Sequence, residues 1–500
     1  MARIVVIGAG MGAMTAAARL AVAGHRVVVY ERAGTYGGAL GRFERDGFAF
    51  DTGPGLLQLP AVYRDAFVKT GKEPLEKCVE LSQVEPAVRH VFADGTRTDL
   101  PNASRAGIGE ALDEALGDGA GARWAAFMNR ARETWDRARR PLLEEPLFDD
   151  WEVLGEREPY PALVHKRLLR RDRRAATLAG IGELELGGDA RLVALLEHFA
   201  LSHGLDPRTT PASAAVLPYM EQTFGVWAVR GGMRALAEAL YERCLARRVE
   251  FVFDAAVTRI VEKDGRAAGV ELADGTTAEA DFVLAGVAPT ALAGLLPGGV
   301  DVRAAGDVPG RSGTPSRLTV LLALSGGRPE SAPHRTVVHA ADREEELRHL
   351  FGERPGLAAA PTVTVLRPDD PGLVPDAAHE AVTLTVTVPA HLEVAPADVE
   401  RVIGHAGPAV PGLRERLLWH EVRTPADVAE ATGADGGSVP APALAAADGR
   451  LLHPANSSRL PGLFAVGGWS HPGGGLPHAG MSGALVAGLI VEGPEFRGSR

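Results

Sequence analysis

The sequence predicts an α/β protein in which a domain of βαβ units is interleaved with a second domain of mixed sheet and helices. Three observations predict it. An apolar strand at the N-terminus passes through a glycine-rich turn into a helical stretch and then a second strand. Near residue 463 another apolar run ends in glycines and leads into a last helical stretch. Between them lie β-rich stretches punctuated by Asp-Gly turns. Five hundred residues exceed one compact core and call for two or three domains. An apolar fraction of 46% with 23% charged residues excludes wholesale disorder. Two cysteines, Cys78 and Cys244, exclude a disulfide scaffold, a CxxC redox pair and a cysteine-rich zinc site. A net charge of -11 argues against nucleic-acid binding.

The N-terminal element is the strongest signal. Arg3 to Ile7 reads as a buried strand, followed by Gly8, Gly10, Met11, Gly12 and Ala13, then a helix expected from Met14 to Ala23. His25 to Tyr30 is a second strand ending at Glu31. This is the dinucleotide-binding, Rossmann-like fingerprint in its required context. Gly8 permits the tight turn, Gly10 lets a diphosphate approach the backbone, and Ala13 lets helix pack on strand. The helix N-terminus offers unpaired N–H groups to phosphate. Glu31 is placed to accept from ribose hydroxyls.

After Glu31 and Arg32 comes a second glycine pair, Gly37 and Gly38, then a GFxFDxGP segment running from Gly47 through Asp51 to Gly53 and Pro54. This goes beyond a plain nicotinamide-binding pattern. It resembles the glutathione-reductase-type flavoproteins of the amine oxidase and phytoene desaturase group. The resemblance implies FAD, with the glycine pair near the pyrophosphate and the DxGP turn near the isoalloxazine. Those families follow the pair with Arg, where this chain has Ala39; Arg42 is the nearby candidate to replace it. A lost charge-assisted phosphate contact costs about 1.5–3 kcal/mol if nothing compensates.

The middle and C-terminal elements agree. Gly231-Gly232-Met233 precedes a helix expected from Arg234 to Ala246, and a strand-rich block runs from Val249 to Gly286. It resembles the second FAD-binding segment of the same group, in which the residue at Val257 meets the adenine through its backbone; a plain meander fits the local sequence equally. Leu463 to Gly468 reads as a buried strand, and Trp469-Ser470-His471-Pro472 leads through Gly473, Gly474 and Gly475 to Leu476 and Pro477, then a helix expected from about Ala479 to Val491. This segment is similar to the C-terminal signature of bacterial carotenoid desaturases. With the TPxD element at Thr424 and the GS element at Gly437-Ser438, the chain is identified as a member of the phytoene desaturase-like, carotenoid oxidoreductase family.

The resemblance implies a Rossmann-like FAD-binding domain of glutathione-reductase/amine-oxidase type, in segments 1–75, 225–300 and 446–500. A substrate domain would occupy 76–224 and 301–445. Cofactor contacts are expected from Gly8, Gly10, Met11, Gly12, Ala13, Glu31, Arg32, Gly37, Gly38, Arg42, Gly53, Pro54, Val257, Gly467, Gly468, Gly475, Leu476 and Pro477. The implied reaction is FAD-dependent desaturation of C–C bonds in an apolar polyene or isoprenoid by hydride transfer to flavin N5, with no metal. His471 is the ionisable group inside the flavin-facing signature, as a catalytic candidate or as a hydrogen bond orienting the loop. Ser470, His478 and His334 are weaker candidates. The rival readings are an FAD-dependent oxidase or dehydrogenase of another hydrophobic small molecule, and a flavin-free prenyl-lipid chaperone.

Segment 121–180 carries 13 Lys/Arg against 10 Asp/Glu, including the basic run His165–Arg174. Downstream, Leu192, Val193, Leu195, Leu196, Phe199 and Leu201 form an apolar stripe at helical spacing. Two readings stand: monotopic docking of 165–201 on anionic lipid, and a solvated surface helix. Neither a cleaved leader nor a membrane-spanning helix is expected. The expected location is cytoplasmic, with docking placing the protein at the inner face of the membrane.

Overall fold

The computed structural model of the protein describes residues 1–148, 152–163, 173–296, 314–446 and 449–498. A five-stranded sheet positions the site. Its strands lie in the order Glu250–Val252, Arg26–Tyr30, Arg3–Ile7, Phe282–Ala285 and Leu463–Ala465. Every neighbouring pair is parallel, in the register Val5 to Val28 and Val283, and Leu284 to Phe464. Parallel sheets need cover on both faces, and alternation within the first strand supplies it. Ile4 and Val6 face the helices Met11–Val22, Met233–Ala246 and Leu476–Glu492, meeting Met14, Leu236 and Val486. Val5 and Ile7 face the antiparallel meander of Val257–Lys263, Arg266–Leu272 and Thr277–Glu279, meeting Ile260 and Val270.

A seven-stranded mixed sheet forms a second layer, in the order Leu417–Arg423, Ser316–Ser325, His379–Val388, Val363–Leu366, Arg335–Val338, Val88–Val91 and Arg97–Leu100. Its one parallel pairing joins Arg335–Val338 to Val88–Val91. Helices between Arg105 and Phe224 build a lobe around Trp124, Phe127, Leu195 and Leu196. Lobe and sheet are fastened by a buried ion pair in which Arg335 Nη1 donates to Glu221 Oε2 at 3.0 Å. Gln58 Nε2 donates to the same carboxylate at 2.6 Å.

Two helix starts differ from the sequence expectation in the same direction. The first helix begins at Met11 and the last at Leu476, each three residues earlier than the apolar periodicity indicates. Gly12 and Ala13 in the first helix and Ala479 in the last blur the apolar periodicity of the first turn, and Pro477 sits where its missing N–H costs no helix bond.

The apolar stripe of 192–201 corrects one of the membrane readings. The helix Ala190–Leu201 turns Leu192, Leu195, Leu196 and Phe199 into the core of the helical lobe, and Leu201 packs on Leu347 and Leu350 of the helix Arg343–Phe351. A stripe at helical spacing serves a protein core and a lipid face equally well, and here the core takes it, so it is not a lipid-docking face. Residues 165–172 of the basic run lie outside the described residues. Among the described residues, no helix is long and apolar enough to cross a membrane.

Candidate functional site

The first turn is built as its residue types require. Gly8 sits at φ 91° and donates its N–H to the Tyr30 carbonyl at 2.8 Å. The Glu31 carboxylate, at the end of the second strand, accepts from the Ala9 N–H at 2.7 Å and the Ala33 N–H at 2.9 Å. Gly10 precedes the first helix with no side-chain cap, and a Cβ placed on it would meet nothing within 4 Å. The first-turn N–H groups of Met11, Gly12 and Ala13 therefore face a cradle with room for an anion.

The second glycine pair lies against this turn. Gly37 donates its N–H to the Ala9 carbonyl at 2.8 Å, and a Cβ on Gly38 would be 3.0 Å from Gly10 Cα. The DxGP turn backs the pair: a Cβ on Gly53 would come within 2.0 Å of the Ala39 carbonyl oxygen, and Pro54 follows at the surface. Asp51 accepts from the N–H groups of Met233 (2.7 Å) and Arg234 (3.1 Å), capping the helix Met233–Ala246. Burial raises the Asp51 pKa, and those two bonds partly oppose the shift.

Arg42 pairs with Glu44 at 2.7 Å and donates to the Gly231 carbonyl at 3.2 Å. Arg32 is exposed and donates to the Glu430 carbonyl. Val257 opens its strand just beyond two backbone bonds, Asp254 N–H to Ala33 and Ala255 N–H to Glu31, which set this segment beside the acid.

The C-terminal segment closes over the first. A Cβ on Gly12 would be 2.7 Å from the Ala479 carbonyl oxygen and 2.8 Å from Gly467 Cα, while one on Gly483 would be 2.9 Å from the Ala16 nitrogen. The matching four-residue steps, 12 to 16 and 479 to 483, mean that the first and last helices run parallel with their N-termini side by side. Like the first, the last helix has no side-chain cap, following Gly475 at φ 101°. Leu476 accepts the Tyr63 hydroxyl through its carbonyl at 2.9 Å, and Pro477 is buried in the first turn.

Gly467, at φ 104° and open to space, is tied by its N–H to Ser482 Oγ at 2.9 Å. Ser470 Oγ donates to the Gly467 carbonyl at 3.1 Å, and Asn456 Nδ2 reaches the Ala465 and His471 carbonyls at 3.1 and 2.8 Å. Gly468 and Gly474 lie against Pro440.

His471 is fully buried. Its Nε2 lies 3.0 Å from the Glu145 carbonyl, so that nitrogen carries the proton, and Nδ1 is buried with no partner. Burial lowers its pKa to about 4, with the Glu145 bond opposing. Burial and the nearby imidazoles of His203 and His471 take His478 down to about 3. Both rings are therefore neutral at neutral pH. Ser470 is spent on the loop, and His334 sits just before the strand Arg335–Val338 with its carbonyl accepting from Arg367.

Sequence reasoning missed Tyr63, Arg234, Asn456 and Ser482. Arg234 carries no local signal of its contacts, which lie 194 to 199 residues away. Asn456 and Ser482 carry no local signal.

The residues present fit FAD: two open glycine cradles, two uncapped helix N-termini and an acid at the end of the second strand converge on one surface. Comparisons with known proteins agree. The model of the family described as flavin containing amine oxidoreductase matches residues 14–323. The chain is 30% identical to 4,4'-diapolycopene oxygenase of Methylomonas sp over 98% of both proteins. It is also 30% identical to hydroxyneurosporene desaturase of Rubrivivax gelatinosus, over 98% of this chain and 93% of that one. An oxidoreductase from Methanosarcina mazei shares the fold with a TM-score of 0.65 at 18% identity, covering 97% of this chain and 99% of that one. The chain belongs to the flavin-containing amine oxidoreductase family and is a phytoene desaturase-like, FAD-dependent oxidoreductase.

Proposed function

We propose that the protein desaturates C–C bonds of an apolar polyisoprenoid of carotenoid type, with hydride passing to flavin N5. The observation that supports this most is the buried convergence of the Gly8–Ala13 turn with the Gly467–Pro477 segment, in a chain similar over almost its whole length to a hydroxyneurosporene desaturase. FAD, when bound, supplies the hydride acceptor. The protein's share is to bind, orient and exclude water.

Met11, Gly12 and Ala13 offer N–H groups to the diphosphate, and Glu31 holds the ribose end. Gly475, Leu476 and Pro477 present the second helix N-terminus where negative charge gathers on reduction. His471, neutral and bonded to Glu145, fixes the loop that carries Gly467 and Gly468. The low aromatic content, 5% of residues, suits an aliphatic path for the substrate.

The test is expression in a host that accumulates carotenoid precursors, followed by pigment analysis by mass. Loss of hydrogen pairs from the precursor is the expected result; unchanged precursor beside flavin-loaded protein would overturn the substrate class. The similarity to a diapolycopene oxygenase supports a second reading, oxygenation of the polyene, which the same assay distinguishes by the gain of oxygen.

A further inference from the structure

We infer that Arg234 is the positioning cation of the flavin diphosphate site, supplied from the helix Met233–Ala246 in place of the arginine that Ala39 lacks. The inference rests on FAD binding and is independent of the substrate.

Arg234 reaches across 194 to 199 residues of sequence to hold the loop bearing the second glycine pair. Its Nη1 donates to the Tyr36 carbonyl and, at 3.2 Å, to the Leu40 carbonyl, while Nη2 donates to Thr35 Oγ1. The guanidinium carbon lies 4.1 Å from the centre of the Tyr36 ring, which stacks in turn on Tyr241. A planar fork with several donors suits this work, whereas an ammonium has no fixed fork. Because the two carbonyls bracket Gly37 and Gly38, fixing them fixes the backbone that is hydrogen-bonded to the first turn through Gly37 N–H and Ala9 at 2.8 Å, and that leaves no room for a Cβ on Gly38 beside Gly10.

The charge argument is separate from the geometry. Every side-chain hydrogen bond of Arg234 goes to a neutral oxygen. Among the described residues, no carboxylate lies within ion-pair distance of its guanidinium. Its positive charge thus has no ion-pair partner, with Glu238 acting on the same Tyr36 from one turn along the helix, and it lies beneath the loop expected to meet the diphosphate. Ala39, at the position of the absent arginine, is exposed and offers no charge. Asp51 sets the geometry by capping the turn that launches Arg234, and Arg42 is already engaged with Glu44 and Gly231.

The experiment measures FAD affinity of the full-length protein by recovery of free flavin fluorescence on dilution, at low and high salt. Arg234→Met is expected to weaken FAD binding at least tenfold and to flatten its salt dependence. Arg234→Lys, which keeps charge without the fork, should fall between Met and wild type. Adding Ala39→Arg to Arg234→Met should recover at least threefold. Affinity of the Met variant within twofold of wild type would overturn the proposal. So would Lys and Met variants that are equally weak with an unchanged salt slope, since that marks a purely structural side chain. A wild-type protein that holds no FAD would instead overturn the flavin reading itself.

Discussion

Gly12 and Gly483 pack backbone to backbone: a Cβ on Gly483 would lie 2.3 Å from the Gly12 carbonyl oxygen. No side chain fits between the two helices at that point, so the approach of the chain's two ends depends on these two residues. Gly483→Ala should force the helices apart and cost about 1–3 kcal/mol, the usual range for overpacking. Thermal unfolding reads the stability, and the ratio of flavin to protein absorbance reads the site. Both should fall together, because the Gly467 turn is tied through Ser482 to the same helix.

Glu31→Gln should weaken FAD by about tenfold while leaving the fold intact. The carboxylate accepts from two backbone N–H groups, Ala9 and Ala33, and an amide presents only one acceptor oxygen. One N–H then loses its partner at a cost of about 1–3 kcal/mol, and on the proposed reading the ribose loses a charged acceptor. Flavin fluorescence titration measures the change; unaltered affinity would remove Glu31 from the site.

Acid should destabilise the protein from a particular pH downward. His471 and His478 are buried and neutral, with folded pKa values near 4 and 3 against 6.5 for an ordinary histidine. The folded state thus resists protonation while the unfolded chain accepts it. Stability is therefore full above about pH 6.5 and falls as pH drops toward the folded values, by about 1.4 kcal/mol per pH unit for each ring. Melting temperatures between pH 7 and pH 5 test this. His471→Gln should show a shallower decline than wild type, and equal slopes would contradict the assignment.

Glu221→Gln should cost about 3–5 kcal/mol, because it leaves the guanidinium of Arg335 buried without its counter-charge. Arg335 is 9% exposed and Glu221 6% exposed, so water cannot replace the lost partner. Chemical denaturation at neutral pH measures the loss. A second expected effect is a looser junction between the helical lobe and the seven-stranded sheet, visible as faster amide exchange at Arg335–Val338.

What could be read from the sequence follows the range of the interactions involved. Gly8 and Gly37 were legible because their requirement is local: a positive φ, announced by residue type and spacing. Glu31 was legible because a strand end sets its distance from the turn. Arg234 and Ser482 were not, since each acts on backbone far away in sequence and neither residue type advertises a partner. The 192–201 stripe misled in a different way. Its period reports one apolar face and does not say what that face meets, and Leu195 and Leu196 meet Trp124 and Phe127 in the lobe's core.

The two parallel, uncapped helix N-termini have a consequence for how the protein is made. Each is equivalent to roughly half a positive charge, and side by side they repel. The chain as a whole is acidic at -11, yet neither of these helices carries an acidic side chain in its first turn. On the proposed reading the diphosphate answers the first of these termini and the reduced flavin ring the second. Ligand binding of this kind stabilises the native state by mass action, so the flavin-free protein should melt at a lower temperature than the flavin-loaded one.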